Sequence, residues 1–279
     1  MLTDAWRYGV YVRLAAQDVL AFHAQFWAGL GEAVLSFFLS LSLWRAVYAG
    51  ATDVAGLRFD QMVTYLVAGV LVRTAVSGSV LSYLGNMYES GSVGLDLARP
   101  LSFPLICAAR SVGESACYLL TRGMPVFVTA ALLLHVAFPP PALLAAFALS
   151  LVLALALYFM LEFALAQLIF VLQTSNALNL LWSLLIMFGT GALIPLPFFP
   201  AWAQQVLFAL PLHCIFYTPL SLFLGGELLA GPVVAALQSA GLPLPVGLLA
   251  EQGLWAAVLA AGLRIIWHFS RRRMVMLGG

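Results

Sequence analysis

Three ionisable residues, Glu32, Arg73 and Glu162, lie inside long apolar runs of the sequence. A charge at the centre of a bilayer costs about 2.5–3.5 kcal/mol, so such residues pair with one another or line a water-filled cavity. At ~1.5 Å of helical rise per residue, they lie roughly 9, 16 and 12 Å from the cytoplasmic ends of their helices. Two interpretations stay open: a structural ion pair between Arg73 and Glu162 or Glu32, or the polar lining of an inward-facing cavity.

A second group of charges lies outside the apolar runs, in the segment 85–117. Asp96 and Arg99 are three residues apart, which makes them neighbours on a helix face. Pro100 ends or redirects that turn, and Glu89 is nearby. The segment is either a solvated loop or a rigid cytoplasmic element on which a partner can push.

Residues for catalysis are missing from the sequence. All 12 cationic residues are arginines, so there is no Walker A lysine. Cys107, Cys117 and Cys214 are far apart and are predicted to be free thiols. His213 and Cys214 are adjacent, but no second ligand pair stands at zinc spacing, so no metal site is predicted. A net charge of +1 gives no basic field for nucleic acid.

The amino-acid composition indicates that lipid surrounds most of the chain. Hydrophobic residues make up 63% of the 279 residues and charged residues only 8%, whereas soluble domains average about 25% charged. A soluble globule of this size could not bury that much apolar surface. The sequence therefore predicts an all-α membrane protein with a single transmembrane domain over 1–279.

Apolar runs long enough to cross a bilayer predict six transmembrane helices. They cover residues 27–48, 61–84, 118–138, 142–170, 177–194 and 249–269, the fifth being broken at Gly189-Thr190-Gly191. Residues 1–26 have an amphipathic pattern typical of an interfacial helix, although they could also be the first turns of a long first span. The stretch 195–248 is apolar but rich in proline, which predicts short helices that dip into the outer leaflet and return.

The distribution of arginine predicts the orientation. With the N-terminus inside, nine arginines lie on the cytoplasmic side and only Arg45 and Arg58 on the outer side. Cytoplasmic segments of membrane proteins carry an excess of basic residues. Both termini are therefore expected in the cytoplasm, as an even number of spans requires.

Three stretches resemble the permease subunits of ABC-2-type ABC transporters, in the group without a fused ATPase. The first is Gly-Leu-Asp-Leu-Ala-Arg-Pro-Leu at 94–101. The second is Gly-Ala-Leu-Ile-Pro-Leu-Pro-Phe-Phe-Pro at 191–200, followed by Leu210-Pro211 and Tyr217-Thr218-Pro219. The third is the tail with Arg271-Arg272-Arg273.

The resemblance implies a fold, partners and an activity. The fold has six spans, an amphipathic N-terminal helix, a cytoplasmic coupling helix within 85–117 and re-entrant outer helices within 195–248. Two permease subunits, identical or different, would pair in the lipid of a bacterial inner membrane. Each would bind a separate ABC ATPase that carries the ATP and Mg²⁺, so this chain has no cofactor and is not an enzyme. The expected activity is export of an amphipathic or apolar substrate, such as a lipid, antibiotic or peptide, by alternating access.

The resemblance also implies roles for individual residues. The ATPase would dock near Glu89, Asp96, Arg99 and Pro100. A path between helices two and five would involve Arg73, Thr74, Ser77, Met187, Phe188 and Thr190. Pro195, Phe198, Phe199 and Pro200 would form an outer gate, unless the two phenylalanines are aromatic anchors at the interface.

Other functions are compatible with parts of the pattern. A secondary transporter usually has inverted repeats and paired broken helices, and no repeat is visible here. A membrane scaffold or assembly factor would need no energised partner. An intramembrane enzyme is the least compatible, because the catalytic constellations are missing.

Overall fold

The computed structural model describes residues 2–21, 23–92, 101–136, 138–226, 228 and 231–277. Within these ranges the chain is helical apart from one small hairpin, which confirms the predicted all-α class. Asp96, Arg99 and Pro100 of the predicted coupling segment lie outside the described residues.

The described ranges contain the following helices in chain order. They are α1 Leu2–Ala21, α2 His23–Val47, α3 Phe59–Ala75, α4 Val80–Glu89, α5 Phe103–Tyr118, α6 Met124–Leu133, α7 Pro141–Ala166, α8 Ile169–Leu172, α9 Asn176–Gly189, α10 Ala201–Phe208, α11 His213–Phe223, α12 Pro232–Ser239 and α13 Leu244–Leu277. A π-helical turn at Leu119–Gly123 joins α5 to α6, and a 3₁₀ turn covers Leu196–Phe198. Strands β1 Asp53–Val54 and β2 Leu57–Arg58 form an antiparallel hairpin.

Five stretches in the described part of the chain are long and apolar enough to cross a membrane. They are Phe26–Val47, Phe59–Glu89, Phe103–Leu133, Pro141–Leu172 and Leu244–His268. Helices α10 and α11 meet at an angle of 103° and would make a sixth crossing only if the bent pair counts as one span. The multi-pass helical architecture agrees with the sequence, while the sixth span and the re-entrant arrangement of 195–248 stay predictions.

The third span begins earlier in the structure than in the sequence pattern. Helix α5 starts at Phe103, with Pro104 in its first turn where no N–H is needed. The predicted start was residue 118, because the polar residues of 103–117 resemble a loop. Pro125 follows the π-helical turn Leu119–Gly123, and this local widening accommodates a residue that cannot donate to the preceding turn.

The fifth predicted span is short in the structure. Helix α9 has 14 residues, or about 21 Å at 1.5 Å per residue, against a hydrocarbon core of about 30 Å. It ends at Gly189, at the predicted glycine break. Gly191 has a φ of +84°, a conformation that glycine adopts without strain.

The second span is broken, which the sequence pattern did not predict. Helix α3 ends at Ala75 and α4 begins at Val80, so residues 76–79 leave the helical path. A broken helix inside a membrane protein exposes backbone N–H groups that need partners in the protein. Two carboxylates supply those partners, as described below.

Helix α1 packs along α5. A Cβ atom at Gly113 of α5 would collide with the backbone of Val12, so this glycine sets the closeness of the two helices. Arg110 and Asp18 form an ion pair of 3.1 Å between them. The helical form of this N-terminal segment is established, and its position in the membrane interface stays a prediction.

The hairpin between α2 and α3 follows the C-terminal end of the first span. Its turn residues Ala55 and Gly56 have φ of 56° and 79°. The Tyr48 hydroxyl donates to the carbonyl of Leu57 at 2.9 Å. Burial raises the pKa of Tyr48, and the nearby Asp53 carboxylate raises it further, so this hydroxyl stays a donor at neutral pH.

Candidate translocation site

A cavity of about 330 Å³ lies between α2, α3 and the turn Leu119–Gly123. Polar and charged side chains line it together with aromatic ones. These are Glu32, Ser36, Ser40, Arg73, Thr74, Ser77, Tyr118, Arg122, Phe37, Tyr65 and Phe216. We call it the inner cavity. Three residues of the predicted path, Arg73, Thr74 and Ser77, line it.

The charges of the inner cavity come from three different segments. Nη1 of Arg73 on α3 donates to Oγ of Ser36 on α2 at 3.4 Å, and the charge of Glu32 acts on the same guanidinium. Arg122 lies over the Tyr118 ring at 4.3 Å. Its guanidinium occupies the space beside Gly29, where any Cβ would collide with it. The sequence pattern assigned Arg122 to a cytoplasmic segment. It did not predict that Arg122 lines a cavity, because the π-helical turn that directs its side chain there has no sequence signature.

The hydroxyl groups near Arg73 are bound to the backbone of α3. Thr74 Oγ1 donates to the carbonyl of Val70 at 2.8 Å, and Ser77 Oγ donates to that of Thr74 at 2.7 Å. A Cβ atom at Gly123 would collide with Thr74 Oγ1. The close approach of α3 to the π-helical turn therefore depends on that glycine.

Glu162 lies outside the inner cavity and accepts a hydrogen bond at the start of α4. It is 2% exposed on α7, is not among the lining residues of the inner cavity, and its Oε1 accepts from the backbone N–H of Leu81 at 3.2 Å. Glu114 of α5 accepts from the N–H and the hydroxyl of Ser79 at 3.0 and 2.8 Å. These two carboxylates cap the N-terminus of α4 at the break in the second span, where the helix dipole favours negative charge.

A second cavity, of about 540 Å³, lies at the hairpin end of α3. Arg45, Arg58, Asp60 and His135 contribute to its lining. We call it the outer cavity. Both cavities are lined in part by α3, since Thr64 lines the outer one and Tyr65 the inner one. Helix α3 therefore contributes to two cavities that contain polar side chains.

The remaining residues of the predicted path lie on or after α9. Met187 and Phe188 are 37% and 44% exposed on the surface of the chain and are not lining residues of the inner cavity. Thr190 is buried, and its hydroxyl donates to the Ile186 carbonyl at 2.6 Å. The carbonyl of Gly191 accepts from the Tyr65 hydroxyl at 2.8 Å, which ties the end of α9 to the wall of the inner cavity.

The predicted outer gate surrounds the 3₁₀ turn. Phe198 packs edge-on against Trp44 of α2, with ring centroids 4.8 Å apart. The carbonyl of Phe199 accepts from the Gln204 amide at 2.8 Å. Pro195 is buried before the turn, and Pro200 is exposed immediately before α10. These contacts connect the segment to the C-terminal end of α2.

The one described residue of the predicted coupling group is Glu89. Its Oε1 accepts from the hydroxyl of Ser175, immediately before α9, at 2.7 Å. A second bond of 3.2 Å joins Ser82 of α4 to Asn179 of α9. The helix that leads into the coupling segment is therefore attached to α9.

Three potential metal-ligating residues meet away from both cavities. His213 and Cys214 of α11 and Glu251 of α13 are all buried, and their ligand atoms lie within 4.8 Å of one another. Ligand spacing in the sequence did not indicate Glu251, because it lies far along the chain from His213 and Cys214. Spacing within one segment could not have found it.

Comparison of the sequence with known families identifies a transporter family. A family model described as "ABC-2 family transporter protein" matches residues 34–277, which is most of the chain. No curated protein and no solved structure matches the chain.

Proposed function

Because the chain belongs to the ABC-2 family of transporter proteins, we propose that it is the permease subunit of an ATP-driven exporter whose ATPase is a separate chain. The sequence has no lysine and therefore no Walker A site. In the proposed exporter, energy for transport enters through contact with a nucleotide-binding partner. Two permease subunits, identical or different, would form the complex in a bacterial inner membrane with their termini in the cytoplasm.

The inner cavity is the observation that carries this proposal. Arg73, Arg122 and Glu32 offer charge in a space that Phe37 and Phe216 also line. A molecule with a polar head and an apolar body matches both kinds of wall, whereas a strongly hydrophilic solute would leave the aromatic side chains unmatched. Of the amphipathic or apolar substrates that the sequence predicts, we therefore propose an amphipathic one, such as a lipid, an antibiotic or a peptide.

The outer cavity, which shares α3 with the inner cavity, supports alternating access along that helix. In such a cycle the inner cavity would open first and the outer cavity second, with Tyr65 and Thr64 at the boundary. Phe198, Phe199, Pro195 and Pro200 are proposed to close the outer end. Met187, Phe188 and Thr190 are proposed to reach the path when α9 moves or when a second subunit approaches.

The contacts of α4 suggest how an ATPase could drive that motion. Asp96, Arg99 and Pro100 are proposed to receive the partner, with Glu89 at the start of the same segment. The bond from Ser175 to Glu89 and that from Ser82 to Asn179 would carry a displacement of α4 into α9. The break at residues 76–79 would let α4 move without carrying α3 with it, which is how discontinuous helices serve in transporters.

The test begins with co-purification of the tagged full chain in mild detergent. We expect a soluble ATPase at equal stoichiometry, and transport in vesicles only when both chains are present. The variant Asp96→Ala/Arg99→Ala should lower coupled ATPase activity and leave membrane insertion intact. Uphill transport by the chain alone would instead identify a secondary transporter, and neither transport nor an ATPase partner would favour a scaffold.

A separate experiment tests the inner cavity. Arg73→Gln should reduce substrate-stimulated ATPase activity of the complex at least about fivefold if Arg73 holds the substrate, since allosteric coupling is typically about 5–150-fold. Arg13→Gln is the matched control, because Arg13 is exposed on α1 and lines neither cavity. Unchanged stimulation in Arg73→Gln would remove the inner cavity from the proposed path.

A further inference from the structure

The buried cluster at the start of α11 has the composition of a metal centre, and its three ligand atoms lie within 4.8 Å of one another. His213, Cys214 and Glu251 are 1%, 0% and 1% exposed. Nε2 of His213 lies 3.4 Å from Oε1 of Glu251 and 3.4 Å from Sγ of Cys214. Ligand atoms bound at about 2.0–2.3 Å around a tetrahedral ion are separated by roughly 3.3–3.7 Å, which these two distances match.

The orientation of the His213 ring is fixed by its other nitrogen. Nδ1 lies 2.7 Å from the carbonyl of Leu210, and a carbonyl can only accept, so Nδ1 carries the hydrogen. This leaves Nε2 as the atom that faces the thiol and the carboxylate. Metal-binding histidines are oriented in this way, with the second nitrogen donating to a carbonyl or carboxylate.

The carboxylate of Glu251 provides an independent observation. Within the described part of the chain, its Oε1 has no hydrogen-bond partner, although the atom is aimed at His213 Nε2. A buried polar atom without a partner is rare in native structures and calls for an ion, a water or a proton. A positively charged occupant, either a metal ion or a proton on His213 Nε2 3.4 Å away, would satisfy this oxygen.

Charge balance gives the class of that occupant. A thiolate on Cys214 and a carboxylate on Glu251 would place two negative charges in a buried site, which is strongly unfavourable without compensation. One divalent cation neutralises both. A nitrogen, a sulfur and an oxygen ligand together suit zinc better than the hard cations Mg²⁺ and Ca²⁺.

The surroundings hold the three ligands in place. The Gln252 amide donates to the carbonyl of Cys214 at 2.7 Å and its oxygen accepts from the Ser150 hydroxyl at 2.8 Å. The Phe208 ring packs edge-on against His213 with centroids 5.2 Å apart. Helices α7, α11 and α13 are thereby joined around the cluster.

We propose that His213, Cys214 and Glu251 bind a divalent zinc-class metal ion that fastens α11 to α13 inside the membrane domain. The site lies apart from the inner and outer cavities, since none of its three residues lines either one. The ion would be structural, and binding would release the thiol proton to solvent during assembly.

The test uses the full chain purified in detergent through a tag without histidine. After equilibration with Zn²⁺ and removal of free metal, elemental analysis should give about one zinc per chain. Cys214→Ser and Glu251→Gln should each lower the retained zinc at least about tenfold. Cys107→Ser, which removes another buried thiol, is the matched control and should retain the ion.

A second measurement on the unmodified chain covers the case in which a variant fails to fold. Replacement of zinc by Co²⁺ should produce the thiolate-to-cobalt charge-transfer absorption, and a chelator should abolish that absorption and lower the unfolding temperature. A zinc content far below one per chain, together with no thiolate absorption, would overturn the proposal in favour of a shared proton. Full zinc retention in Cys214→Ser would overturn it as well.

Discussion

The cap of Glu162 on helix α4 leads to a quantitative prediction. Glu162→Ala removes the acceptor for the Leu81 N–H, which is buried at the break of the second span. A buried donor left without a partner costs about 1–3 kcal/mol, and loss of a carboxylate at a helix N-terminus costs about 0.3–1 kcal/mol. We expect Glu162→Ala to lower the free energy of unfolding by about 1–4 kcal/mol.

A graded pair of variants separates the two contributions. Glu162→Gln keeps an oxygen that can accept from Leu81 and loses only the charge, so it should lose about 1 kcal/mol. The assay is unfolding in detergent followed by tryptophan fluorescence. Asp60→Asn is the control, because its ion pair with Arg58 is exposed at both partners and such pairs contribute about 0–1 kcal/mol.

Two outcomes would refute the cap. Equal losses in Glu162→Ala and Glu162→Gln would show that the charge, and not the hydrogen bond, stabilises the chain. A charge-swapped variant, Arg73→Glu with Glu162→Arg, should be less stable than either single variant. If the double variant were instead more stable than both, Glu162 would be the ion-pair partner of Arg73 after all.

Three further perturbations follow from single contacts. Gly113→Ala should loosen α1 from α5 and speed proteolysis of the N-terminal helix, because the added Cβ would collide with the Val12 backbone. Gly31→Ala is the control, because a Cβ there meets open space, and it should leave the proteolysis rate unchanged. Tyr65→Phe should cost about 1–3 kcal/mol in the same unfolding assay, since the Gly191 carbonyl loses its 2.8 Å donor; wild-type stability would refute that bond. Ser175→Ala removes the contact of α9 with Glu89 and should lower coupled ATPase activity without releasing the ATPase, and full coupling would contradict the proposed transmission.

Composition and hydropathy predicted the membrane class, and motifs predicted the family, because both depend on local sequence. The sequence also placed Arg73, Thr74 and Ser77 on one helix, and the structure brings them into one cavity. It could not supply Arg122, since a π-helical turn carries that residue into the cavity.

Tertiary contacts decided the features that the sequence pattern missed. The break at residues 76–79 is stabilised by carboxylates on α5 and α7, which no local pattern in the second span encodes. Residues 103–117 are polar enough to resemble a loop, yet they form most of α5 because α1 covers one side of that helix. Glu251 meets His213 only through the packing of α13 on α11.

All three cysteines, Cys107, Cys117 and Cys214, are buried and outside any disulfide in the described structure. A membrane-permeant maleimide should therefore modify these buried thiols slowly. The rate of modification of each cysteine would report how often its region opens, without any engineered label. Cys107 and Cys117 lie at opposite ends of α5 and would time its two halves separately. Cys214 would time α11, and added zinc should slow its modification alone.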